Sequence, residues 1–521
     1  MKLGVDFGTT HTVVAYADRG NYPVLSFADE AGDFHESFPS LVAESDGQLC
    51  FGFEALACSR SRLTLLRSWK RLLSDPSVLP STPVQIGSLS VPVAELLTRF
   101  LLALRDAILA RSNLDPALKD GRAAALREAR CAIGVPAHAH GAQRFITLDA
   151  FRRAGFSPIA MLNEPSAAGF EFTHRHRTNL TARRDHVVVY DLGGGTFDAS
   201  LVRMRGRHHE VVHSSGLNRL GGDEFDGVLL DLVLARVSLT RSDVPAAPLA
   251  RLLDQCREAK ERLSPSSRKL SIDLESTLGE LAPTTESVIA VSDYYDACTP
   301  LVERTIDTMT PVLASLEHAV AGEAQANALA GIYVVGGASS LPLVPRLVRA
   351  RFGRRVQRSP YPSAAVAIGL AIRADDSAGF ELSDQFSRTF GVFREAEAGR
   401  EITFDPIFTQ QARVPLPGAE PVQCRRAYRA AHNVGHFRFL ECSELGADGG
   451  PSGDGVLADD VLFPFDPALC DAAQDLAAVP VQRRERGPRI EEEYTLDEHG
   501  MVAVTIRNLD ANYQRVFRIE R

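Results

Sequence analysis

Two short stretches place the same residue types in the same order. "DFGTT" puts Asp6 at the end of a β-friendly run, followed by Gly8 and the pair Thr9–Thr10. "VVVYDLGGGTFD" puts Asp191 at the end of another such run, followed by Gly193, Gly194, Gly195 and Thr196. Three consecutive glycines give up side-chain packing and lose much backbone entropy on ordering, so the main chain there is expected to approach something closely. Successive N–H groups of a Gly-rich turn make an anion-binding concavity, and the threonine hydroxyls add donors beside it. Carboxylates at the strand tips would repel bare phosphate, so they imply a divalent cation between. Mg²⁺ suits, because it keeps its waters and needs only one or two carboxylates plus phosphate oxygens. The ligand these residues imply is a Mg²⁺–nucleoside triphosphate, and the chemistry is phosphoryl transfer.

A third loop, "VVGGASSLP", repeats the plan of strand, Gly336–Gly337–Ala338 and helix start, with Ser339 or Ser340 placed to cap. Glycines there would let a flat base or sugar lie against main chain.

The elements must bring these loops together. Asp6 and Asp191 stand 185 positions apart in matching hairpins, which suggests a duplicated α/β lobe. Strand-like and helix-like segments alternate up to about residue 374, predicting α/β layers. "ELLTRFLLALRDAILA" is a core helix, because Arg99, Arg105 and Asp106 interrupt it as a membrane span. Beyond residue 375 Pro and Gly turns separate period-2 runs, and "PRIEEEYTLDEHGMVAVTIRN" reads as a hairpin. The tail is therefore an all-β domain, with "ELGADGGPSGDG" as a low-complexity loop.

A net charge of −9 over 521 residues offers no footprint for nucleic acid. Eight scattered cysteines without a CxxC pair read as reduced thiols and a cytoplasmic address. His138 and His140 are not expected to hold a metal, and His208 and His209 are expected to be exposed in a hairpin turn.

"DFGTT", "NEPSAA", "DLGGGTFD", "LGGDEFD" and "VVGGASSLP", in that order and spacing, resemble the DnaK-type heat-shock chaperones of the actin-like ATPase superfamily. The resemblance implies an α/β two-lobed, actin-like (ribonuclease H-like) ATPase domain over residues 1–374. Lobe I would cover about 1–188, lobe II about 189–355, with a return to lobe I over 356–374. A linker at 375–388 and a β-sandwich domain for substrate at 389–521 would follow, ending at Arg521 without the family's helical lid.

It also assigns jobs. Asp6 and Asp191 would hold Mg²⁺ through its waters, with Glu164 reaching metal-bound water. Gly8, Thr9, Thr10 and Gly193 to Thr196 would grip phosphates, and Lys70 would face the γ-phosphate and attacking water. Gly221, Gly222, Lys260, Ser264, Gly336, Gly337 and Ala338 would line the nucleotide, ATP or ADP. Pro136 and Arg144 match a proposed relay between nucleotide and partner domain. Unfolded or extended protein segments, a J-domain co-chaperone and a nucleotide exchange factor are the implied partners.

Three departures stand out. Arg257 and Glu261 replace a ribose-contacting glutamate and a base-stacking arginine, while Ser340 and Ser363 replace another base-flanking arginine and an aspartate. Altered adenosine recognition with intact phosphate machinery is therefore expected. The linker "GFELSDQFSRTFGV" is more polar than the family's. "CRRAYRAAHNVGHFR" puts charges where the peptide-contacting strands are usually apolar. The expected function is an ATP-dependent chaperone. The alternatives are a nucleotide-switched scaffold for one partner with low turnover, or a small-molecule kinase of the same fold.

Overall fold

The computed structural model describes residues 1–59, 65–114, 129–176, 180–181, 183–319, 328–470 and 475–519. They form two compact units. The first holds residues 1–72, 83–137 and 151–382; the second holds 73–82, 138–150 and 383–521.

Two sheets of one design organise the first unit. In one, the antiparallel hairpin Lys2–Phe7/His11–Tyr16 continues on one side into Phe38–Pro39. On the other side it continues into the parallel strands Arg130–Val135 and Ser157–Asn163. In the other, the antiparallel hairpin His186–Leu192/Phe197–Arg205 continues into His208–Leu217 on one side. Its other neighbours are the parallel strands Leu329–Val335 and Val356–Arg358. The orders match strand for strand, which is the duplicated lobe of the actin-like ATPase fold. Inner strands such as Val187–Tyr190 are wholly buried, as expected where helices cover a sheet with parallel strands. The helix Ala365–Ala374 returns to the first sheet, where the bare Cα of Gly4 admits it: a Cβ there would lie 2.2 Å from Ala367 O.

Two expectations fail in this unit. His209 is buried, not in an exposed turn. The turn is Gly206–Arg207, exposed His208 opens the next strand, and His209 follows it inward, stacked on Phe170 at 4.6 Å with its Nε2 3.0 Å from Thr173 Oγ1. Burial and neighbouring His208 push its pKa down to about 3. The stretch expected as linker is also partly ordered: Glu381–Ser383 adds a sixth strand beside His208–Leu217. Phe380 and Leu382 drive this by burying themselves in the lobe core.

The second unit contains two four-stranded antiparallel sheets. One runs Glu401–Phe408, Thr389–Ala396, Val434–Leu445, Pro451–Pro464. The other runs Val422–Arg429, Arg489–Leu496, Val502–Asn508, Tyr513–Arg518. A single core of Phe390, Phe439, Phe463, Tyr494, Val504 and Ile506 fills the space between them, which makes a sandwich. The expected low-complexity loop is shorter than its sequence suggested, because Pro451–Gly455 already pairs with Cys442–Leu445. Residues 138–150 belong to this unit, and there Arg144 Nε donates to His499 O at 3.3 Å.

Candidate functional site

The two hairpins point their tips at each other. A Cβ on Gly194 would fall 2.2 Å from Thr10 Oγ1, and one on Gly195 would fall 3.0 Å from Thr9 Cγ2. Only glycine fits such an approach. The first turn is held by Ser40, whose Oγ donates to Gly8 O at 2.8 Å and whose N–H donates to Thr10 O at 3.0 Å. The second is held by the start of the helix Gly222–Arg236: Gly222 N–H donates to Gly193 O (3.0 Å) and Asp223 N–H to Gly194 O (2.9 Å). Gly221 lies flat on the same turn, since a Cβ there would meet Gly195 N at 2.6 Å. The third loop closes on these two. Gly336, at φ +85°, packs on Leu192 O and Asp191 Oδ1, and Ala338 Cβ would lie 3.6 Å from a Cβ on Gly222.

Beside the tips stand four carboxylates and one ammonium. Lys70, on the 3₁₀ turn Trp69–Ser74, is buried, bonds Phe7 O and lies 3.1 Å from Glu164 Oε1. Trp69 Nε1 donates to Ser40 O at 3.2 Å, which fixes the segment that carries Lys70. Glu164 opens the helix Glu164–Arg175, where a carboxylate is favoured by the helix dipole. Burial, reinforced by Glu164 and opposed by Lys70, pushes the Asp6 carboxyl up to about 7. Burial, then Glu164, Asp6 and Asp198, raise Asp191 well above the usual carboxylate range. Asp198, paired directly across the strands with Asp191, is pushed up to about 8, chiefly by burial and next by Glu164.

One lysine stands among four acids, and burial first, with repulsion from Glu164 next, is what raises Asp6, Asp191 and Asp198. A cation would supply the missing positive charge. Among the described residues no three His, Cys, Asp or Glu side chains converge closely enough to ligate one bare ion. A hydrated Mg²⁺, which needs only one or two carboxylates, would fit beside Asp6, Asp191 and Glu164, with the glycine turns offering main-chain amides to phosphate.

The residues expected to line a nucleoside are arranged differently. Lys260 Nζ donates to Gly222 O (3.0 Å) and pairs with Asp226 at 2.6 Å. Arg257 is buried, with Nε on Asp226 (2.9 Å) and a terminal nitrogen on Asp223 (3.0 Å). Its other nitrogen faces Asp254 at 3.7 Å. Arg67 and Arg71 reach the same acids from the first lobe, at 2.5 Å to Asp254 and 3.2 Å to Asp223. Ser264 shares its hydroxyl with Ser266 and Ser267. Ser340 is exposed and accepts from Arg358 at 2.9 Å, whereas Ser339 is buried and bonds Gly336 O at 2.6 Å, so neither caps the following helix. Gly337 faces open space.

The turns that carry Thr9, Thr10, Gly194 and Gly195 thus meet, and Asp6, Lys70, Glu164 and Asp191 stand together beside them. Asp198, Ser40 and Trp69 were missed. Asp198 had a readable signal, because it faces Asp191 across a hairpin, and opposed like charges on paired strands are unfavourable without a ligand between them.

A family model described as "Hsp70 protein" matches residues 114–388, more than half of the chain. The chain belongs to the Hsp70 family. Among its curated relatives, a chaperone protein HscA homolog of Chromobacterium violaceum is 33% identical over 399 residues, covering 74% of this chain and 60% of that protein. A second HscA homolog, from Burkholderia cenocepacia, is also 33% identical, covering 73% of this chain and 59% of that protein. A chaperone protein DnaK of Mycoplasmopsis agalactiae is 27% identical, covering 80% of this chain and 65% of that protein. The chain spans about 60% of the length of the HscA relatives it matches.

Proposed function

We propose that this Hsp70-family chain binds Mg²⁺–ATP between its two lobes and hydrolyses it to ADP and phosphate. We propose further that nucleotide state sets how the β-sandwich binds extended protein segments, which makes the chain a chaperone. The observation that carries this is the meeting of the Thr9–Thr10 and Gly193–Thr196 turns beside the under-neutralised acids Asp6, Glu164, Asp191 and Asp198.

Within that reading Lys70 holds positive charge toward the γ-phosphate, where charge develops during transfer. Glu164 orients water and keeps Lys70 in place. Thr196, closing the second turn, adds a hydroxyl at the phosphate chain. Mg²⁺, when bound, neutralises phosphate charge. Unfolded protein, a J-domain co-chaperone and an exchange factor are the partners this reading implies, in the cytoplasm. No helix among the described residues is long and apolar enough to cross a membrane.

A second reading, a scaffold for one partner with slow turnover, is favoured by the β-sandwich itself. Arg394 makes a bidentate pair with wholly buried Glu492 (2.8 and 3.1 Å) and joins Arg426 on Asp405. These pairs are internal, but Arg425 and Arg429 stay exposed on the neighbouring strand Val422–Arg429, and a charged strand face suits selective rather than general apolar recognition.

Single-turnover hydrolysis by wild type, Lys70→Ala and Thr196→Ala, with and without unfolded protein, tests both. Stimulation by unfolded chains supports the chaperone. Slow, unstimulated turnover that still needs Lys70 supports the scaffold, and turnover indifferent to Lys70 refutes the site assignment.

A further inference from the structure

Two of the eight cysteines share one small apolar cluster. The hairpin Val42–Ser45/Gln48–Phe51 ends at Gly52, whose φ of +59° turns the chain sharply into the helix Gly52–Ser59. A Cβ at Gly52 would also strike the Phe38 ring at 2.1 Å, so the turn requires glycine. The helix folds back on its own hairpin. Ala55 and Cys58, three residues apart and hence on one face, pack on the cluster of Leu41, Ala43 and Cys50. Cys50 and Cys58 thus share one small cluster, with Glu54 one turn earlier on the helix that carries Cys58. Cys50 is buried, whereas Cys58 keeps partial exposure.

We propose that Cys50 and Cys58 form an oxidisable dithiol that closes to a disulfide under peroxide. The exposed partner reacts first: the Cys58 thiolate attacks hydrogen peroxide, an S–O bond forms, the O–O bond breaks, and hydroxide leaves. Sulfur is oxidised by two electrons to a sulfenic acid as peroxide is reduced. Cys50 sulfur then attacks Cys58 sulfur, the S–S bond forms, and hydroxide leaves carrying the Cys50 proton as water. The sum is two thiols and one peroxide giving one disulfide and two waters.

Burial first, then Cys58 and Glu54, push the Cys50 thiol up to about 12, so it stays protonated until its partner is oxidised. That order suits a resolving cysteine, which must not compete for the oxidant. Cys131, Cys256, Cys298 and Cys442 are buried in other elements, and they serve as internal controls. The site has a route to the rest of the lobe, because Val42 of the same hairpin exchanges both main-chain hydrogen bonds with Leu66 (2.8 and 3.2 Å), just before Arg67 and Lys70.

The test is peroxide titration of the reduced full chain, followed by alkylation, digestion and mass spectrometry without reductant. The expected product is a peptide linking Cys50 to Cys58, with the count of labelled thiols falling by two from eight. Cys58→Ser should abolish the linked peptide. Cys50→Ala should leave Cys58 sulfenic acid unresolved, trapped by dimedone several-fold more than in wild type. Full labelling of both cysteines after peroxide, with the fold intact by circular dichroism, overturns the proposal. So does the same two-thiol loss in Cys58→Ser, or a dimedone adduct no stronger in Cys50→Ala than in wild type.

Discussion

The two ends of the cleft treat charge in opposite ways. At the phosphate end Asp6, Glu164, Asp191 and Asp198 stand around Lys70, and burial first, then repulsion from Glu164, raises the carboxyls of Asp6, Asp191 and Asp198. At the nucleoside end Arg257 is enclosed by Asp223, Asp226 and Asp254, while Lys260, Arg67 and Arg71 answer the same acids. Both clusters are buried and ionic. One is complete without a ligand, and the other is not. A protein tolerates an under-neutralised cluster at a cost in stability, and such deficits gather where a ligand supplies the missing charge. A neutralised cluster instead fixes structure.

Several experiments sharpen or break that contrast. The largest expected effect is Lys70→Ala, which removes the single cation of the phosphate end. Single-turnover hydrolysis should fall about 10²–10³-fold, as when a preorganised electrostatic donor is lost, with nucleotide still bound. Arg257→Ala should do the reverse. Removing the partner of buried carboxylates should lower stability by about 3 kcal/mol in denaturant unfolding and leave triphosphate binding nearly unchanged. Loss of binding at unchanged stability would place Arg257 with the ligand-binding groups and erase the distinction.

Gly221→Ala tests the cradle without touching charge. Its new Cβ would meet main chain at Gly195 N, 2.6 Å away, and main chain cannot rotate aside as a side chain can. Nucleotide affinity should weaken by about tenfold to a hundredfold, as displacements of about 1 Å in positioned sites do. Wild-type affinity in this variant would show that the turn does not grip phosphate.

The smallest effect is on pH. Asp6 and Asp198, raised to about 7 and about 8, hold protons in the folded state that the unfolded chain has already released. Their contribution therefore favours folding below the ordinary carboxylate range, and it is lost as pH rises toward 8. Ligand-free protein should lose at most about 1.4 kcal/mol per pH unit for each such proton between pH 5 and 8. Mg²⁺ with nucleotide should flatten that slope, which melting temperatures across the range would show. A slope unaffected by Mg²⁺ would mean that no cation neutralises these acids.

Much of this was legible in the sequence for a physical reason. Glycine has no substitute where main chains touch, so Gly221 and Gly336 declare themselves, as does Gly194 where it meets Thr10, and Asp6 and Asp191 follow from strand-tip position. Lys70 was readable only through the family resemblance, because a lysine on a 3₁₀ turn has no periodicity that separates a buried role from an exposed one. Ser40 acts by donating to main chain, and serine does that in many loops. The strand at Glu381–Ser383 was hidden in a polar stretch, where two apolar residues, Phe380 and Leu382, decide burial. The charge inversion at Arg257 was visible, but its three carboxylate partners come from two helices and could be matched only in three dimensions.

The most direct measurement is calorimetric titration of ATP into the full chain with and without Mg²⁺, repeated on Asp191→Asn. One site per chain is expected, with affinity at least about tenfold weaker without Mg²⁺, and with that metal dependence largely lost in Asp191→Asn. Equal affinity with and without the metal, or no binding at all, would contradict a cleft built to complete its charge with a hydrated cation and a triphosphate.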